Sequence, residues 1–127
     1  MEEINHNNIL VAIWIKKFKK GTVPLTDALD PLQLIAHKHL EGTHIKAHIH
    51  IPKKRVTHKL QECIMVMKGK LKIDLYDPDK KLFKRKYLHV GEALMLINGG
   101  WAVHVLKNSE FIEIKNGPFV EDKVFIE

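Results

Sequence analysis

A chain of 127 residues with 45% hydrophobic content is enough for one domain around one real core. No run reaches the roughly 18 apolar residues of a membrane-spanning helix, and a single cysteine excludes an internal disulfide framework. The formal net charge of +6 admits an anionic partner, but the lysines are spread over turns and aromatic residues are only 7%, too few for base-stacking platforms.

Residues 1–8 cap poorly and predict at most one helical turn. The apolar run Ile9–Ile15 follows Glu2 and Glu3 rather than a basic start, and no small-residue cleavage site comes after it. The expectation is a cytoplasmic protein without membrane contact. Beyond this run, short apolar or alternating segments are separated by Gly, Pro, Asp and Asn, the rhythm of an all-β sandwich or barrel. Strands are expected over 9–15, 32–39, 43–51, 62–68, 70–76, 82–88, 93–97, 101–107 and 110–115, with one domain covering 1–127. The strand at 9–15 reads as an open edge that would pair across a two-fold homodimer. Cys63 lies inside an apolar run and reads as a buried, inert thiol.

Two of these segments fix directions. Over 43–51, Ile45, Ala47, Ile49 and Ile51 share one face, while His44, Lys46, His48 and His50 share the other. Over 71–76, Leu71, Ile73 and Leu75 oppose Lys72, Asp74 and Tyr76. Two imidazoles at i and i+2 on a strand stand about 6.5–7 Å apart along the backbone. Converging rings at that spacing can share one ion. Glu62, at the start of the next apolar strand, and His104, on a late strand, would add a carboxylate and a third imidazole. Such a donor set suits Fe, Mn, Ni or Zn as one divalent ion, with positions left open for substrate or water.

Gly42, His48-x-His50, Glu62 and Gly69, then Gly91, Gly100, His104 and Asn108, resemble in residue type and order the two motifs of the cupin superfamily. The resemblance covers about residues 30–115. It implies a double-stranded β-helix, or jelly-roll barrel, commonly dimeric, with a metal held on His48, His50, Glu62 and His104. The stretch Gly69–Tyr76 and the late Gly117-Pro118-Phe119 are similar to small single-domain cupins, some of which resemble enzymes of sugar-nucleotide and polysaccharide biosynthesis. Two departures stand out. Eleven residues, 51–61, separate the histidine pair from Glu62. Either they form a long loop at the barrel mouth, or His58 takes the second histidine position and a ligand is lost. Trp101 stands where a histidine is expected after the Gly-Gly turn, and period two puts it on the face opposite His104.

These readings assign roles. His58 and Tyr76 are candidate proton carriers. Arg55, Gln61 and Trp101 are candidates to hold the substrate, Arg55 by gripping an anionic group with paired hydrogen bonds and Trp101 as a wall for a sugar ring. His6, His37, His39 and His89 read as structural or solvated. The expected function is a metal-binding cupin acting on a small polar molecule, a sugar nucleotide or an organic acid, by isomerase- or oxygenase-like chemistry. The alternative is a cupin that binds a small molecule without turning it over. A nucleic-acid module, resting on net charge alone, ranks third.

Overall fold

Ten strands form where apolar residues run or alternate between turn residues, and no helix is present in the computed structural model, which describes residues 1–127. They are β1 (Glu2–His6), β2 (Ile9–Ile15), β3 (Gly21–Pro24), β4 (Ile35–Lys38), β5 (Glu62–Lys68), β6 (Lys70–Tyr76), β7 (Leu82–His89), β8 (Ala93–Leu96), β9 (Gly100–Val105) and β10 (Glu110–Lys115). All pairings are antiparallel. A five-stranded sheet runs β1-β2-β8-β5-β10, a three-stranded sheet runs β7-β6-β9, and β3–β4 is a separate hairpin. The expected all-β class is present. The sheets do not close into a barrel.

The centre of the five-stranded sheet is buried on both faces, while its edge strand β10 is exposed throughout. One face packs Val11, Ile64, Val66, Leu94 and Leu96 against Leu71, Ile73, Leu75 and Leu88 of the three-stranded sheet. The other face sets Ile13, Ile15, Cys63, Ala93 and Met95 against Leu25, Leu32 and Leu34, which flank the β3–β4 hairpin. This explains why β8 is buried at all four positions instead of alternating. Each fully buried Leu or Ile contributes about 1.5–3 kcal/mol through its apolar surface.

The first turn departs from expectation. Residues 1–8 form no helix; β1 pairs with β2 through Asn7 and Asn8, both at positive φ. A two-residue hairpin turn demands that conformation, and asparagine tolerates it. As a consequence, β2 lies between β1 and β8, so Ile9–Ile15 is no free edge and offers no strand to a second copy.

The larger correction concerns residues 43–51, which form no strand. The whole connection 39–61 lies outside the sheets, and Ile45, Ile49 and Ile51 are 60%, 90% and 72% exposed. The alternation is real, but alternation supplies only a face. A strand also needs a neighbour to take its backbone hydrogen bonds, and none is paired with it.

Glycine matters most at two turns. Gly69, between β5 and β6, has φ +89°, and a Cβ there would run into Asn108 and Ser109. Gly99, before β9, has φ +94°, and a Cβ would meet the Tyr76 carbonyl oxygen. The second contact presses the turn 98–100 against the end of β6.

A candidate site in the open seam between the sheets

On one side the two sheets are joined through β1 and β7. His6 stacks on Phe83 with ring centroids 4.4 Å apart, and Lys86 Nζ lies 3.2 Å from Glu2. On the opposite side the edge strands β9 and β10 leave a seam, and a cavity of about 500 Å³ lies there. Glu62, Glu113 and Lys115 line it from the large sheet, Tyr76 and residues 99–104 from the small one, and residues 122–127 cover it.

Register explains the first wall. Glu62 pairs with Lys115 and Ile64 with Glu113. Side chains at i and i+2 share a face, so Glu62, Glu113 and Lys115 all lie on the face of Ile64, the one turned toward the small sheet. Burial pushes the Glu62 carboxyl above its ordinary range. The charge of Glu113 and a hydrogen bond shared with it push the same way, and Lys115 and Lys123 oppose them only in part. A carboxyl so close to a second one resists ionisation, which favours the neutral form of Glu62.

The second wall is set by β9. Trp101 and Val103 pair with Leu75 and Ile73 and share their core-facing side. Ala102 and His104 pair with Asp74 and Lys72 and point the other way. The β6–β9 ladder contains no bulge to turn His104 inward. Its ring sits at the outer rim of the cavity, with Nε2 2.9 Å from Asp74 Oδ2, while Arg85 donates from Nε to Asp74 Oδ1 at 3.0 Å. Burial of Asp74 works to raise its pKa. The His104 hydrogen bond and the positive charges of Lys72 and Arg85 outweigh that, and the carboxyl is held below its usual range.

Of the residues singled out from sequence, Glu62, Tyr76, Trp101 and His104 therefore line one cavity. The others stand apart. His48 and His50 are exposed in the 39–61 connection, their ring centroids 5.4 Å apart, with the His48 Nδ1 2.7 Å from the Lys46 carbonyl oxygen. Arg55 is exposed and donates to the Lys53 carbonyl. His58 lines a smaller pocket with Thr57, Lys59 and Asn116. Gln61, expected at the substrate, is fully buried and does not line the cavity. Its side chain accepts from Leu32 N and donates to Asp30, and its backbone N–H donates to Asn116, so it clasps the loop before β4 to the end of β10.

The metal ligands implied by the resemblance do not fit one ion in this arrangement. His48 and His50 lie outside the cavity, His104 faces away from Glu62, and no three His, Cys, Asp or Glu side chains converge as a metal centre requires. Glu113, Lys115 and Lys123 were not singled out from sequence. The one local signal was the alternation in Glu110–Lys115, which puts Glu113 and Lys115 on a common face; their meeting with Glu62 depends on the pairing of β10 with β5. No family model matches the chain, and no match was found among curated proteins or solved structures.

Proposed function

We propose that this chain binds a small polyhydroxylated molecule, a sugar or sugar acid, in the seam cavity and that the Glu62–Glu113 pair performs acid–base chemistry on it. The observation that carries this reading is the carboxyl pair itself, partly buried Glu62 beside exposed Glu113, both lining a cavity of substrate size. A protonated carboxyl beside an ionised one offers a general acid and a general base at one place. That suits isomerase- or epimerase-like proton transfer. The ionised member takes a proton from a carbon next to a carbonyl. The protonated member gives its own to the carbonyl oxygen, forming an enediol. The reverse transfers, on another carbon or the opposite face, complete the isomerisation. Lys115 and Lys123 supply positive charge for an acidic group of the ligand, and Trp101 supplies an apolar wall for a ring.

The cupin resemblance belongs to this reading. Two antiparallel sheets facing each other with Glu62 directed between them accord with it, and the open seam and the outlying His48 and His50 are where the chain departs from it. A binding protein without turnover is the second reading. It is favoured by Trp101 on the inner face where the family pattern expects a ligand and by His104 on the outer one.

One experiment addresses both. Full-length protein is incubated in D2O with aldoses, ketoses, aldonates and 2-hydroxy acids, and deuterium incorporation is followed by NMR alongside thermal shift. The expected result is a sugar or sugar acid that raises Tm and exchanges carbon-bound protons. Glu62→Gln or Glu113→Gln should slow that exchange by about 100-fold or more, the usual size of an acid–base contribution. A Tm shift without exchange selects the binding reading, and neither effect across the panel overturns both.

A further inference from the structure

We propose that Thr22, His37 and His39 form a surface site for one divalent transition-metal ion on the β3–β4 hairpin, separate from the seam cavity. The hairpin register places Thr22 directly opposite His37, and His39 follows on the same side two residues on. Three donor atoms meet there. Thr22 Oγ1 lies 3.1 Å from His37 Nδ1 and 3.2 Å from His39 Nε2, and the two ring nitrogens are 3.4 Å apart.

Hydrogen bonding alone serves this triangle poorly. A proton on any corner points well at only one neighbour, so the near-equal contacts cannot all be straight hydrogen bonds. A metal ion resolves the arrangement. With metal–nitrogen bonds of about 2.0–2.1 Å and tetrahedral angles, two ligand atoms stand about 3.3–3.4 Å apart. The observed edges of 3.1, 3.2 and 3.4 Å come within about 0.3 Å of one face of that tetrahedron, with the fourth corner open to water. Two neutral imidazoles, without carboxylate or thiolate, suit Zn2+, Ni2+ or Cu2+ rather than Mg2+ or Ca2+, and the Thr22 hydroxyl is the weak third donor.

The support is ordered. The backbone ladder continues past β3–β4 through Leu25 N–H to the Leu34 carbonyl at 2.8 Å, and Leu25 and Leu34 pack on the second core. All three donor residues are exposed, so an ion arrives without any opening of the fold. The other His-x-His pair differs on each point. His48 and His50 lie outside the sheets, and no third side-chain donor joins them.

The test is calorimetric titration of chelator-treated full-length protein with ZnCl2 and NiCl2, with circular dichroism on every variant. Wild type should bind one ion at this site, with the His37 and His39 ring signals shifting in NMR spectra. His37→Asn/His39→Asn should weaken that binding at least about tenfold while leaving the fold unchanged, and Thr22→Val should weaken it less. Glu62→Gln and His48→Ala/His50→Ala should bind as wild type does. The proposal is overturned if wild type binds neither ion, if His37→Asn/His39→Asn binds as tightly as wild type, or if binding is lost in His48→Ala/His50→Ala instead.

Discussion

At Asp74 a nearly buried carboxylate is held between Arg85 and His104, and the pH dependence of that arrangement has a definite sign. The folded pKa lies below the unfolded one. The stabilisation is therefore complete above the ordinary aspartate range and is lost as pH falls through the folded value. Asp74→Asn should cost about 1–3 kcal/mol at pH 7, by urea melts, and the difference from wild type should start to narrow only as pH falls below about 4. Glu62 runs the opposite way. Its folded pKa is raised, so its contribution falls as pH climbs through the carboxylate range and ionisation strains the folded state. Glu62→Gln should raise Tm by a few degrees at neutral pH, about the effect of 1 kcal/mol in a domain of this size, with the gain vanishing near pH 4. A site that is costly to fold and eased by a neutral isostere is what a functional carboxyl pair predicts. Cys63 is simpler. Burial pushes its thiol up to about 11. A disulfide reagent at pH 8 should leave it unmodified in native protein and titrate one thiol per chain in denaturant.

Among the elements, β2 and β8 carry the fold because both of their faces are covered, and β5 joins them with one face buried and Cys63 on the other. Their pattern was legible in the sequence: long apolar runs bounded by turn residues read as strands whichever face is buried. The segment 43–51 misled for the complementary reason. Its period is that of a strand, yet no neighbour takes its hydrogen bonds, and its isoleucines remain in water. Backbone held by few buried contacts opens first. Limited trypsin digestion should therefore cut at Lys46, Lys53, Lys54 or Arg55 well before any basic residue of β6 or β7, leaving two fragments that stay associated through the pairing of β2 with β8. Cleavage first within β7, at Lys84 or Arg85, would contradict this order.

Across the whole molecule, one side is fastened by β1 against β7 and the other is left open between β9 and β10. The cavity lies in that opening, so the site is made by elements far apart in sequence: Glu62, Tyr76, residues 99–104, Glu113 and the covering residues 122–127. Hydrogen exchange should show the same division. Amides of β2, β5, β6 and β8 should exchange slowest, and those of 39–61 and 116–127 fastest, by several orders of magnitude. A ligand in the seam should slow exchange in 122–127 without altering 39–61. Slowing confined to 39–61 would place the binding site elsewhere.

Residue order alone determined the all-β class, seven of the strands to within a residue or two at each end, the buried thiol at Cys63, and the opposition of Trp101 and His104 across β9. Each rests on a period or a turn residue, information carried within a few positions of the chain. Sequence also marked Glu62, Tyr76, Trp101 and His104, which the fold gathers around one cavity. Only the tertiary structure decided that His48 and His50 stay apart from Glu62, that Gln61 is a buried clasp, that Glu113 stands beside Glu62, and that Thr22 meets His37 and His39. Those outcomes depend on which strand lies beside which and in what register. Pairing energy between segments tens of residues apart sets both, and no local pattern contains it.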